Sequence, residues 1–280
     1  MTIAEIHGKL RPYESMEDLL TSDVFGAFKY CNPQEGLVPF LKQAVSFDGS
    51  GSDLNFLKDV EAAEYFFWPR SKSGREPDVI IILKLQNKET VAINIEAKYF
   101  SGKHNIDIDR PDDSNEEPID ESEEKKYHAG DQLVDQFIAL KKKLYYNRNL
   151  CEGIEAALKH CNKFYLFYVT SHYLLPDRDV QETKYKDRDN YVKYFYWLNW
   201  AKAWEVCRKK NGKANIILDD LRQLLEKKRL TELSLWKGIE YIPPPFETHY
   251  FWMEQKVFWH INAPQFEYNH AGYFFFNRSI

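Results

Sequence analysis

Cysteine is scarce in this chain, and long apolar runs are absent from it. The 280 residues include only four cysteines, and no two of these form a CxxC pair. So few thiols at such spacings argue against a zinc site and predict reduced thiols in a cytoplasmic protein. The longest purely apolar run, Val79 to Leu83, is far too short to cross a bilayer. No basic segment followed by a long apolar stretch is present at the N-terminus, so we expect no secretory signal.

An excess of positive charge is also absent, since the formal net charge is −5 at pH 7. One segment accounts for this acidity. Residues 107–124 contain ten acidic residues and one basic residue, which leaves 37 basic and 33 acidic residues, a sum of +4, for the rest of the chain. The segment is predicted to be an acidic loop. Net charge therefore does not exclude a nucleic-acid partner.

The residues that are present are those of a folded protein, because 44% of them are hydrophobic and can supply a sizeable core. The sequence predicts an α/β fold with three parts. Residues 1–50 are expected to form an N-terminal helical segment and residues 51–175 the core, which includes the acidic loop 107–124. Residues 176–280 are expected to form a C-terminal α/β extension that is rich in aromatic residues and packs on the core.

Hydrophobic periodicity predicts the order of elements in this core. A helix is predicted over Asp53 to Ala63, followed by two clear strands, Val79 to Leu85 and Val91 to Phe100. After the acidic loop, helical spacing resumes at Gln132, and Lys163 to Thr170 is predicted to be a further strand.

The two clear strands bring together residues that can carry chemistry. Side chains alternate between the two faces of a strand, and one face of this hairpin is uniformly apolar. If the hairpin is centred on Asn87, Asp78 lies directly opposite Glu96, with Lys98 one diagonal step away. Two carboxylates this close repel each other, and a divalent cation that takes oxygen ligands, Mg²⁺ in particular, removes the repulsion. The alternative is a surface hairpin whose charges form an exposed ion pair of little energetic value.

Pro77-Asp78 followed by Glu96-Ala97-Lys98, at the ends of two hydrophobic strands, resembles the PD-(D/E)XK nuclease superfamily. The stretch Glu17 to Gly26 is also similar to the opening of uncharacterised bacterial members of that superfamily. The resemblance implies a restriction-endonuclease-like fold, a mixed central sheet flanked by helices in the order helix, three strands, helix, strand. It also implies a magnesium-dependent hydrolase, an endonuclease acting on DNA in defence, restriction or repair.

The resemblance also implies roles for individual residues. Asp78 and Glu96, with the backbone carbonyl of Ala97, would bind Mg²⁺ or Mn²⁺, and Lys98 would assist the attacking water. Many members add an acidic residue on the first helix, for which the candidates are Glu64 and Glu61. Some also add a glutamine on the helix after the third strand, often with a tyrosine four residues later; Gln132 matches it, but position 136 is a second glutamine.

Basic residues near the active end of the hairpin are candidates for phosphate contacts. They are Arg70, Lys72, Arg75 and Lys103, and ordinary solvated loop charge is the alternative for each of them. Two other functions stay open for the whole chain. One is a catalytically silent nuclease fold that binds nucleic acid or assembles with proteins. The other is a protein-interaction domain built on the C-terminal region, through which the chain could also form a homodimer.

Overall fold

The computed structural model describes residues 15–49, 54–72, 74–99, 130–147, 151–208 and 216–231, together with two short strands near the C-terminus. The chain divides into two units, residues 1–232 and residues 233–280. The described part of the second unit is an antiparallel pair of strands, Phe266–Tyr268 and Phe274–Phe276. In the described residues no helix is both long enough and apolar enough to span a membrane.

The first unit is built on one six-stranded mixed sheet, which confirms the predicted α/β class. Its strands are β1 (Val45–Ser46), β2 (Val60–Phe67), β3 (Val79–Leu85), β4 (Thr90–Ala97), β5 (Lys163–Thr170) and β6 (Phe195–Asn199). Their order across the sheet is β1-β6-β5-β4-β3-β2. The pairs β4/β5 and β5/β6 are parallel, and the other pairs are antiparallel. The predicted N-terminal segment thus supplies β1, and the predicted C-terminal extension supplies β6.

Helices cover both faces of this sheet. They are α1 (Ser15–Lys29), α2 (Leu37–Leu41), α3 (Gln132–Lys141), α4 (Ile154–Lys159), α5 (Asp177–Lys186), α6 (Ala201–Arg208) and α7 (Ile216–Lys227). The apolar face of the hairpin, which includes Ile81, Ile93 and Ile95, packs with residues of α1, α2, α6 and α7. The opposite face packs against α3 and α4 near β3 and against α3 and α5 near β5 and β6. A sheet buried on both sides explains why its central strands are nearly continuous apolar runs.

The predicted helix over Asp53 to Ala63 is wrong. Residues Asn55–Asp59 form a 3₁₀ helix, and β2 begins at Val60. Leu54, Leu57 and Val60 recur every three residues, and that period matches the three residues per turn of a 3₁₀ helix. The exposed glutamates at 61 and 64 belong to β2, which is an edge strand and can be polar towards solvent.

Candidate active site

The register of the β3–β4 hairpin places two acidic residues opposite each other. Val79 pairs with Ile95 and Lys84 pairs with Thr90, which confirms the register expected from a turn centred on Asn87. Asp78 immediately precedes β3, and Glu96 is the residue before the end of β4. Both side chains are buried, with Asp78 8% exposed and Glu96 2% exposed. The hairpin therefore carries two opposed carboxylates below the surface, so the exposed ion pair considered as the alternative is excluded for them.

Asp78 is fixed by the backbone of the neighbouring strand. Its Oδ2 accepts a hydrogen bond from the N–H of Ala97 at 2.7 Å. Burial raises the pKa of Asp78 well above its ordinary value, and the nearby charge of Glu96 raises it further, whereas Lys98 opposes the shift. Its other oxygen accepts no hydrogen bond from the described residues. Asp78 thus keeps an oxygen that can serve a ligand.

Lys98 supplies the positive charge among these carboxylates. Its Nζ lies 2.6 Å from Oε1 of Glu96 and 3.3 Å from Oε1 of Glu17. Burial by itself would lower the pKa of Lys98, but the carboxylates of Glu96, Asp78 and Glu17 outweigh burial and raise it. Lys98 is therefore an ammonium ion in this arrangement, and its backbone carbonyl accepts a hydrogen bond from the indole N–H of Trp200 at 3.1 Å.

A further acidic residue, Glu17 of α1, lies beside Lys98, and the sequence analysis did not name it as a site candidate. Glu17 lies in the first turn of α1, and its Oε2 accepts the N–H of Tyr99 at 2.9 Å while Oε1 contacts Lys98. Two signals in the sequence could have pointed to Glu17: a carboxylate is favoured in the first turn of a helix, and Glu17 begins the stretch that is similar to the opening of bacterial members of the superfamily.

The expectation that Glu64 or Glu61 supplies this carboxylate is wrong. Glu64 lies on β2 opposite Ile82, four residues along β3 from Asp78, which corresponds to about 13 Å at the rise of a strand. It is exposed and pairs with Lys84 at 3.8 Å. Glu61 is exposed on the same strand. Both residues lie on β2 and not on a helix, and although the pairing with Ile82 puts Glu64 on the same face of the sheet as Asp78, the distance along the strands keeps it from the site.

Helix α3 holds Glu96 through two glutamines. Nε2 of Gln132 donates to Oε1 of Glu96 at 2.6 Å, and Nε2 of Gln136 donates to Oε2 at 2.7 Å. Residues four apart lie on the same face of a helix, so one helix can reach both carboxylate oxygens. The helix itself begins at a capped turn, where the side chain of Asp131 accepts the N–H groups of Leu133 and Val134. The prediction of Gln132 at this site agrees with its position, and Gln136 joins it in place of the tyrosine.

The four basic residues proposed to contact phosphates fall in different environments. Arg70 and Lys72 are exposed, and the ammonium of Lys72 lies 5.2 Å from the centre of the Tyr146 ring. Arg75 is only 8% exposed and pairs with buried Asp135 at 3.1 Å. The expectation that Arg75 lies in an open loop is therefore wrong, because it belongs to a buried ion pair. Lys103 lies outside the described residues, as does the segment 107–124 that was predicted to be an acidic loop.

The donor set at this site consists of oxygen atoms, which suits a hard cation such as Mg²⁺. Asp78 and Glu96 offer carboxylates, and Ala97 offers a carbonyl that points to the same side of β4 as its N–H, the side on which Asp78 lies. Within the described residues no group of three or more His, Cys, Asp or Glu residues is arranged to hold a metal ion. Two carboxylates and one carbonyl, the set implied by the resemblance, would leave the remaining positions of an octahedral ion to water or substrate.

Comparison of the chain with protein-family models, with curated proteins and with solved structures yields no match.

Proposed function

We propose that this protein is a divalent-metal-dependent nuclease that hydrolyses phosphodiester bonds. The observation that carries the proposal is the buried pair of opposed carboxylates, Asp78 and Glu96, with the ammonium of Lys98 2.6 Å from Glu96. Burying two like charges together destabilises a fold. A pair of this kind at the ends of two strands is therefore typical of a functional site.

The arrangement of elements supports a restriction-endonuclease-like fold of the PD-(D/E)XK type. Helix α1 brings Glu17 to the site, β2, β3 and β4 form an antiparallel meander, α3 follows, and β5 adds in parallel to β4. This order is helix, three strands, helix, strand once the smaller elements are set aside: α2, the two-residue β1 and a 3₁₀ helix lie between α1 and β2, and α4 lies between α3 and β5. The likeness rests on topology and on the position of the residues along the strands, and the family assignment is part of the proposal.

In this proposal the residues have distinct roles. A bound Mg²⁺ or Mn²⁺ would act as a Lewis acid on the scissile phosphate. Asp78, Glu96 and the Ala97 carbonyl would hold the ion, and Gln132 would fix Glu96. Because its neighbours raise its pKa, Lys98 is suited to orient the attacking water and to stabilise negative charge on the phosphate as a cation, rather than to remove a proton.

The nature of the substrate follows from the resemblance and from the charge distribution. The proposal favours DNA as the substrate. It also favours an endonuclease that acts in defence, restriction or repair. Arg70 and Lys72 are the exposed cations among the described candidates, and they would contact the phosphate backbone. Their contribution would weaken as salt concentration rises.

A second candidate function is a catalytically silent nuclease fold that binds nucleic acid or assembles with a protein partner. One observation favours it: Lys98 already places a positive charge against Glu96 and Glu17, so this site neutralises part of its own charge without a metal ion. A silent module of this kind would bind DNA equally with and without a divalent cation.

Cleavage assays separate these functions. Supercoiled plasmid, linear DNA and RNA would be incubated with the protein in Mg²⁺, in Mn²⁺ and in EDTA. We expect metal-dependent cleavage that falls about a hundredfold or more in Asp78→Asn and Lys98→Ala. Glu64→Gln is the matched control, because it neutralises an exposed carboxylate of the same sheet, and it should cleave at the wild-type rate.

Cleavage that persists unchanged in Asp78→Asn and Lys98→Ala would refute the assignment of the site. Metal-independent DNA binding with no cleavage by the wild-type protein would favour the silent module. A stable protein partner, together with no affinity for either metal or DNA, would favour an interaction domain.

A further inference from the structure

Glu96 is the most completely enclosed acidic group of the site, and its acceptor positions can be counted. A carboxylate has about four lone-pair positions. Among the described residues Oε1 accepts from Gln132 and from Lys98, and Oε2 accepts from Gln136. One position therefore stays open, and it is on the oxygen that Gln136 holds. The direction of that open position depends on Gln136.

Gln136 is itself held by a second buried amide. It is 1% exposed, and its Oε1 accepts from Nδ2 of Asn94 at 3.2 Å. Asn94 is completely buried and lies on β4, two residues before Glu96 and therefore on the same face of the strand. Two hydrogen bonds thus link Asn94 on β4 to Gln136 on α3, and Gln136 back to Glu96 on β4. We refer to this chain of Asn94, Gln136 and Glu96 as the relay.

The direction of these hydrogen bonds follows from the chemistry of the last group. An ionised carboxylate only accepts, so Gln136 must turn its NH₂ group towards Glu96. Its oxygen then faces Asn94, which must donate. Each amide is fixed in one orientation by the carboxylate, and the hydrogen bond that reaches Glu96 is charge-assisted.

This arrangement is costly for a purely structural core. Oδ1 of Asn94 is buried and accepts no hydrogen bond, and the same holds for Oε1 of Gln132 within the described residues. Unsatisfied buried acceptors destabilise a fold, and apolar side chains of similar size would avoid the cost. The polar cluster is therefore better explained by the carboxylate that it orients than by stability.

We propose that Asn94 and Gln136 are positioning residues that direct the open lone pair of Glu96 towards the metal ion. The inference rests on the proposed function, since it concerns the same site. Asn94 acts only through Gln136, so its effect on metal binding should require Gln136. Residues of this kind behind a metal ligand change affinity about ten- to a hundredfold when they are removed.

Calorimetric titration with Mn²⁺ tests the proposal. We expect the Kd to rise about tenfold or more in Gln136→Leu, and to rise by a smaller factor in Asn94→Leu. The double variant should match Gln136→Leu alone, because the relay is already broken. Gln34→Ala serves as the control, because the side chain of Gln34 donates to the carbonyl of Val60 at 2.8 Å, and Val60 pairs with Leu85 at the end of β3 opposite to Asp78. Its loss should leave the Kd unchanged.

A folded Gln136→Leu protein with a Kd within twofold of wild type would overturn the proposal. So would effects of the two substitutions on Kd that simply multiply in the double variant. Thermal unfolding of each variant checks folding, and a positioning role predicts a change in Kd that does not follow the order of the melting temperatures.

A measurement without metal keeps the relay testable if wild-type protein binds no Mn²⁺, a result that would by itself contradict the proposed function. In EDTA, the urea midpoints of Asn94→Leu, Glu96→Gln and the double variant would be measured. The same set would be measured twice, once with Gln136 present and once in the Gln136→Leu protein. The relay predicts that the changes in urea midpoint caused by Asn94→Leu and Glu96→Gln do not add when Gln136 is present. In the Gln136→Leu protein the two changes should add. Additive effects in both backgrounds would refute the relay.

Discussion

Replacing Asp78 with asparagine should stabilise the protein in the absence of metal while removing its proposed activity. The side chain keeps its shape and its carbonyl oxygen, so the hydrogen bond from the N–H of Ala97 can be retained. Only the negative charge is lost. That charge lies among the carboxylates of Glu96 and Glu17 and the ammonium of Lys98, which together sum to one negative charge.

The size of the gain follows from these neighbours. Unit charges about 5 Å apart, the spacing of directly opposed side chains in a sheet, interact by about 3 kcal/mol at an effective dielectric constant of about 20. One uncompensated negative neighbour therefore costs Asp78 about 3 kcal/mol, and burial adds to this cost. The stability gained by Asp78→Asn cannot exceed the cost of protonating Asp78, because the wild-type protein can also remove the charge by binding a proton. From its ordinary pKa of 3.8 to pH 7, protonation costs about 4 kcal/mol at 1.36 kcal/mol per pKa unit.

The gain must depend on pH in a defined direction. The pKa of Asp78 is raised in the folded protein by burial and by Glu96. Below its ordinary pKa of 3.8, Asp78 is protonated in both the folded and the unfolded state, so the substitution brings no advantage. Above that pH the unfolded chain releases the proton while the folded chain retains it, and the stability of the wild type falls relative to the variant until the raised pKa is passed.

Urea denaturation in EDTA, followed by far-UV circular dichroism at pH 5 and pH 8, measures this difference. We expect Asp78→Asn to be more stable than wild type at both pH values, with the larger gain at pH 8. Glu61→Gln removes an exposed carboxylate from β2 and should show no such pH-dependent gain. A wild-type protein that is as stable as Asp78→Asn at pH 8 would refute the reasoning.

Other changes test the remaining parts of the account. Arg75→Ala removes the guanidinium that pairs with buried Asp135, and the free energy of unfolding in urea should fall by about 3 kcal/mol; a loss below about 1 kcal/mol, as for an exposed pair, would contradict the buried pair. Glu17→Gln keeps an acceptor for the N–H of Tyr99 but removes the negative charge that lies beside Lys98. Plasmid cleavage should slow about tenfold, and an unchanged rate would exclude Glu17 from the site. Ile93→Ala, at the centre of β4, should cost about 3 kcal/mol in the same urea experiment, and a negligible loss would contradict its complete burial.

The parts of the site that the sequence could predict are those fixed by the period of a strand. Asp78 and Glu96 lie opposite each other because alternation and turn position determine the register of a hairpin. Lys98 follows from the same alternation. The apolar residues of β3 and β4 are divided between the two faces as expected, and both faces are buried.

Residues that reach the site from other elements could not be placed in this way. Glu17 arrives from a helix that precedes β4 by many residues, and no local pattern encodes which helix end meets which strand. Glu64 was misplaced because apolar residues every third position fit both an α-helix and a 3₁₀ helix that leads into a strand. Arg75 was expected at the surface, and only the tertiary structure shows the buried carboxylate of Asp135 beside it.

The central claim is that Asp78 and Glu96 together bind a divalent cation. Anomalous diffraction from crystals soaked in Mn²⁺ tests it directly, with Glu96→Gln crystals as the comparison. The account predicts an anomalous peak within coordination distance of one oxygen from each carboxylate, and no peak in the Glu96→Gln protein. Wild-type crystals in which Lys98 stays against Glu96 and no anomalous peak lies near Asp78 would contradict it.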